Sequence, residues 1–151
     1  MPKPLKRHTA LQNLSREHHD ILLFALRLKK GLKKAELVEI KNYIDWFWEE
    51  YLKIHFQQEE VYLFPISVEV SKLTNTAQEY HKKIEQLIKA NPIEELHINE
   101  IQKTLIDYVR FEERKLFPEL QIKLSDSELE NYAKNHKVQL NCSYWANSFW
   151  K

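Results

Sequence analysis

Apolar side chains recur at three- and four-residue spacing along most of this chain, the period of helices that bury one face. The first stripe, Leu14, His18, Ile21, Leu22, Ala25 and Leu28, predicts a helix that starts at a cap on Thr9 or Ser15 and stops at Gly31. A second runs from Leu37 through Ile40, Ile44, Phe47, Trp48, Tyr51, His55 and Glu59 to Tyr62 and Leu63. It predicts a long helix over about 34–64, ended by Pro65. The third carries Ala77, His81, Ile84 and Ile88 between a cap at Thr74 or Asn75 and a stop at Asn91-Pro92. The fourth carries Ile98, Ile101, Leu105, Tyr108, Glu112 and Leu116, begins between Pro92 and Asn99, and has Pro118 behind it. A shorter fifth helix opens at Ser125, with Glu128 as its capping-box partner, and runs to about Lys137.

Short connections between neighbouring helices favour antiparallel packing. The expected fold is all-α: an up-down-up-down antiparallel four-helix bundle over about 10–120, then a short fifth helix and an aromatic tail within 125–151. Residues before Thr9 read as a loose arm, and the tail, VQLNCSYWANSFWK, as a cover for apolar surface. The whole 1–151 is expected to form one domain, since 151 residues can bury a core without a disulfide.

Composition agrees with long helices and few turns: one glycine, five prolines and 30% charged residues argue against an all-β fold. With 23 basic and 22 acidic residues the net charge is +1, so no global field draws the chain to nucleic acid or an anionic membrane. The longest apolar run, 21–26, is too short to span a membrane, and the basic N-terminus lacks the apolar segment of a signal peptide. The single cysteine, Cys142, excludes an intramolecular disulfide and a thiolate zinc site. A cytoplasmic protein is expected.

Polar residues break all four long stripes, and two of the breaks repeat. HFQQEEVYLFP, from His55 to Pro65, returns as YVRFEERKLFP, from Tyr108 to Pro118. The echo keeps Glu59-Glu60 as Glu112-Glu113 and the ending Leu-Phe-Pro, but puts Tyr108 where the first copy has His55. Residues four apart share a helix face, so His55 with Glu59, and Tyr108 with Glu112, each direct two groups at one point. His18 and His81 add two more, which gives two helical hairpins related by an approximate two-fold. Burying two carboxylates costs several kcal/mol each unless something positive compensates. No lysine or arginine lies on the four stripes, so the natural counter-charge is a bound cation. Six side chains exceed one tetrahedral zinc site. Two metals would use them all: one on His18 and His55, the other on His81 with Tyr108 as a further donor, and Glu59 and Glu112 bridging.

The other histidines read as structural. His8 and His97 fall in terminal or connecting segments and are expected in solvent, His19 points about 100° away from His18, and His136 suits the dipole at the end of the fifth helix. Trp46, Trp48, Trp145 and Trp150 read as packing.

LSREHH around His18, HFQQEEVYLFP from His55, EYH at His81 and FEERKLFP from Phe111 together resemble the hemerythrin-like, HHE cation-binding family, over roughly Leu11 to Glu119. The resemblance implies a four-helix bundle with a carboxylate-bridged non-haem di-iron centre, and makes His18, His55, Glu59, His81 and Glu112 its ligands. Members of the family bind dioxygen, sense oxygen or redox state, or, in proteins that repair damaged iron–sulfur centres, handle iron and nitric oxide. Oxygen carriers have a second histidine on the third helix, one turn after the first. That place is Glu85 here, a pattern nearer the repair-type proteins. Tyr108 stands where the family has a fourth-helix histidine, which leaves the second metal with a phenolate ligand or an open position. The expected function is binding of two irons that take dioxygen, peroxide or nitric oxide, without a classical catalytic arrangement. Iron storage or delivery, and a structural bundle with a degenerate site, are the alternatives.

Overall fold

The stripes become helices α1 (Gln12–Gly31), α2 (37–63), α3 (Ser71–Ile88), α4 (95–123) and α5 (Asp126–Asn135) in a computed structural model that describes residues 6–136 and 145–151. They form the expected up-down-up-down bundle, with α1 and α3 both packed along α4, and α5 lying against the N-terminal turn and the end of α2. Among the described residues there is no strand, and no helix is long and apolar enough to cross a membrane.

The apolar core is divided. One cluster takes Ile21 to Leu28 of α1, Ile40 to Phe56 of α2, Ile84 and Ile88 of α3 and Ile98 to Val109 of α4. The other takes Leu11 and Leu14, Leu63 and Phe64, Val70 and Ala77, and Leu116 to Leu120, with Leu129 and Tyr132 of α5. On every long helix the polar break falls where one cluster hands over to the other. His18, His55, Glu59, His81, Tyr108 and Glu112 are therefore one layer, each no more than 3% exposed.

Two helices are wound to keep that layer in register. Tyr43, Phe47, Tyr51, His55, Glu59 and Leu63 are all buried and all four residues apart. An α-helix advances about 100° per residue, so each step of four overshoots its face by about 40°. Five such steps would turn Leu63 to the side opposite Tyr43. Two π-turns, Trp48–Leu52 and Glu59–Leu63, absorb the drift, because each wider turn takes in an extra residue. In α4 the buried positions Tyr108, Glu112, Leu116 and Leu120 show the same spacing, and a π-turn runs from Glu112 to Leu116. Tyr62, expected inward from a regular helix, is 41% exposed for this reason.

Several boundaries differ from the sequence reading. Neither Thr9 nor Ser15 caps α1; a 3-10 turn, Thr9–Leu11, precedes it, and the His8 ring accepts the Ala10 N–H. Thr74 and Asn75 lie inside α3, where the Thr74 hydroxyl donates back to the Ser71 carbonyl. Glu94 caps α4 in a reciprocal arrangement with His97, so His97 is a capping group. Pro118 does not stop α4, which continues to Lys123; the widened turn before it relieves the clash of its ring with the preceding carbonyls. Leu22 and Leu37 are 38% and 39% exposed, at the margins of their stripes. The segment before Thr9 is not loose where it is described, since Arg7 donates to Gln121 Oε1 and to the Glu113 carbonyl. Ser125 and Glu128 form the capping box of α5 as expected. Residues 138–144 of the tail, with Cys142, lie outside the described residues.

Phe149 and Trp150 of the tail pack on the larger apolar cluster. This explains the one glycine better than a left-handed helix stop does. Gly31 keeps a negative φ, and a Cβ built on it would overlap the Phe149 ring. Gly31→Ala should therefore destabilise the protein by about 1–3 kcal/mol through overpacking. In a Phe149→Ala background the same change should stabilise by up to about 1 kcal/mol, the helix-propensity gain. Thermal denaturation of the four proteins checks this, and the same sign in both backgrounds would refute the clash.

Candidate metal centre

The layer holds all six sequence candidates, buried and linked by short contacts. His18 Nε2 lies 2.9 Å from Glu112 Oε1, and His81 Nε2 lies 3.0 Å from Glu59 Oε1. The Tyr108 hydroxyl donates to Glu59 Oε1 at 2.5 Å and lies 3.0 Å from His55 Nε2. One donor atom each from His18, His55, Glu59 and Glu112 fall within 4.8 Å of one another. His81 lies outside this group of four but meets it at Glu59 Oε1. Glu59 Oε2 and Glu112 Oε2 are buried with no hydrogen-bond partner among the described residues. His19 is exposed, so His18 is the inward histidine of the pair. The Glu85 side chain is 42% exposed and pairs with Lys89, in a surface cleft that His81 and Glu60 also line.

A second ring of carboxylates stands behind the histidines, and only its echoed members left a trace in the sequence. His18 Nδ1 lies 2.7 Å from Glu113, His55 Nδ1 2.7 Å from Glu17, and His81 Nδ1 2.8 Å from Glu60. A carboxylate on Nδ1 fixes the ring and leaves Nε2 for the centre. The echoed glutamate pair thus has divided roles: the first member points inward, while the second holds the histidine of the other hairpin, Glu60 for His81 and Glu113 for His18. The echoed phenylalanine completes the device, with Phe117 stacked on His18 at 5.5 Å and Phe64 on His81 at 5.8 Å. Ser15 donates to Glu113, and Arg7 pairs with it at 3.4 Å. His136 caps the C-terminal end of α5, as expected, but it also turns inward: it is 7% exposed and its Nε2 lies 3.0 Å from Glu17. No local signal marks that contact, which joins residues 119 apart.

Charge in the layer is under-compensated. Burial and the neighbouring Glu112 push the Glu59 carboxyl up to about 7, and burial raises Glu112 as well. Burial opposes a charge on His81, but its bonds to Glu59 and Glu60 outweigh this and lift it to about 9. Burial and the two carboxylates hold the Tyr108 hydroxyl protonated well above its ordinary range. Burial also works against the Glu17 anion, yet His136 and His55 hold its carboxyl at about 2. Among the described residues no lysine or arginine pairs with Glu59 or Glu112. The donors are imidazole, carboxylate and phenol, a set suited to a first-row transition metal and free of the thiolates that select softer ions. Two orphaned carboxylate oxygens facing inward, beside imidazoles held from behind, fit a metal.

A profile of the hemerythrin HHE cation binding domain matches residues 9–120. The chain belongs to this family. Comparison with curated proteins and with solved structures gave no match. The matched segment spans the four-helix bundle and ends before α5, so the hemerythrin domain here carries an added C-terminal helix that reaches its interior through His136. Family and buried cluster together make this a metal-binding protein.

Proposed function

We propose that the chain is a cytoplasmic hemerythrin-like protein that holds two non-haem irons on His18, His55, Glu59, His81, Tyr108 and Glu112, and binds dioxygen, peroxide or nitric oxide. The observation that carries this reading is the pair of unpartnered oxygens, Glu59 Oε2 and Glu112 Oε2, inside a layer of inward-facing imidazoles. Such atoms are costly without a cation. Iron held there would supply reversible redox chemistry and a coordination position for a small ligand. The chain's own residues do the rest: Glu113, Glu17 and Glu60 orient the rings, and the two apolar clusters exclude bulk water. Three imidazoles suit iron along with zinc, copper and nickel, and the carboxylate and phenol oxygens suit a hard ion such as ferric iron.

Tyr108 is the distinguishing group. Its oxygen sits among the donors, in contact with both Glu59 and His55. A ferric ion in contact with that oxygen would displace its proton, in the manner of other metal-bound donors. Protein loaded with iron and exposed to air should therefore show a visible phenolate-to-iron band. Tyr108→Phe should remove the band while retaining most of the iron. A wild-type spectrum without the band, on protein shown to hold iron, would refute phenolate coordination. Protein prepared without oxygen and found free of metal would sink the functional reading itself.

A further inference from the structure

Glu17 divides its two oxygens between a residue of the layer and the residue that caps the end of α5. Oε1 holds His55 Nδ1 at 2.7 Å, and Oε2 holds His136 Nε2 at 3.0 Å. His136 is fixed in turn by Tyr132, whose hydroxyl lies 3.0 Å from its Nδ1. Glu17, His136 and Tyr132 are 4%, 7% and 2% exposed, so the line His55, Glu17, His136, Tyr132 is interior throughout. It crosses from α2 through α1 to α5 and leaves the matched family segment on the way.

The approximate two-fold that carries His18 onto His81, and Glu59 onto Glu112, breaks at this line. It carries His55 onto Tyr108, and Glu17, one residue before His18, onto Tyr80, one residue before His81. The Tyr80 and Tyr108 rings lie 6.2 Å apart, so an aromatic ring takes the place of the supporting carboxylate. Among the described residues, one half of the centre is braced from outside the bundle and the other is not.

We infer that His136 is a positioning residue for His55, and that through it α5 makes the metal position beside His18 and His55 the tighter of the two. This rests on the metal-binding reading above. A carboxylate bonded through one oxygen can swing about that bond and take the imidazole with it. Bonded through both, Glu17 has its plane set by α1 and α5 together, and the His55 ring keeps its Nε2 toward the centre. Removal of His136 leaves Glu17 Oε2 buried without a partner, and such a group moves to find water. Metal sites respond steeply to this, since outer partners of a ligand histidine change affinity by about 10–100-fold.

The test is anaerobic titration of the full chain with ferrous iron against a competing chelator, together with melting temperatures of the metal-free and loaded proteins. The wild type should show two unequal classes of site. His136→Ala should weaken the tighter class about tenfold and leave the weaker one unchanged. His136→Gln, whose amide can still donate to Glu17 Oε2, should recover most of the loss. The metal-induced rise in melting temperature should shrink in His136→Ala, whereas a purely structural role would lower both melting temperatures equally and keep the rise. Should His136→Ala not fold, Tyr132→Phe removes only the anchoring hydroxyl and should weaken the same class to a smaller degree. Two equal classes, an unaltered tight class in these variants, or a glutamine no better than alanine overturns the inference while iron binding stands. A wild type that takes up no iron overturns both.

Discussion

Glu59→Gln is expected to abolish tight metal binding and, in the metal-free protein at about pH 7.5, to raise the melting temperature. The two effects have one cause. Glu59 is wholly buried, accepts from Tyr108 and His81 through one oxygen, and has no partner for the other, which faces the buried Glu112. An amide keeps the accepting oxygen, turns a donor toward Glu112 and removes one of two repelling charges. The Glu59 carboxyl rises from 4.5 to about 7, and at about 1.4 kcal/mol per unit this amounts to a penalty on the order of 3 kcal/mol that the amide escapes. A gain of several degrees is expected for a chain of this size. A neutral amide is a poor substitute for a bridging carboxylate, so metal content should fall below half of the wild-type value. Metal analysis and melting curves decide it: a variant that is both metal-loaded and less stable would show that Glu59 serves the fold and not a cation.

That pairing of opposite effects follows from how the chain is written. The four stripes, the fold and the six inward residues were legible because each helix places a polar residue at a position its own period marks as buried. The echo of HFQQEEVYLFP also contained more than the inward glutamates. Its second glutamate and its phenylalanine brace the histidine of the opposite hairpin, a role that became visible only once the hairpins were packed. The π-turns were legible in principle, since positions 43 to 63 keep a spacing of four that no α-helix can hold on one face. His136 was not legible. Nothing near it in sequence distinguishes a helix-end histidine in solvent from one that packs onto Glu17 across the bundle. Gly31 was legible as the end of α1 but not as a contact, since the need for glycine there depends on Phe149 at the other end of the chain.

Without metal, the protein should lose stability as the pH rises from about 5 to about 9, and bound metal should remove that loss. Glu59 has a folded value of about 7 against 4.5 when unfolded. The folded state thus holds its proton more tightly, a contribution fully present below 4.5 and lost as the pH climbs through 7. His81, raised from 6.5 to about 9, contributes fully below 6.5 and loses its part as the pH climbs through 9. Glu59 and His81 are bonded to each other, so their effects overlap and are not summed. Glu17 runs the other way: lowered from 4.5 to about 2, it stabilises above 4.5 and is lost as the pH falls through 2. The metal-free optimum should accordingly lie near pH 5. A bound cation takes over the charge-balancing role of those protons, so uptake should release protons and affinity should increase up to about pH 9, where His81 gives up its proton. Melting temperature against pH, with and without metal, should give two curves that separate as the pH rises, and Glu59→Gln should flatten the metal-free one between about 5 and 7. A metal-free curve that climbs steadily from pH 5 to 8 would mean that the buried carboxylates are balanced within the protein, and that the layer has no need of a cation.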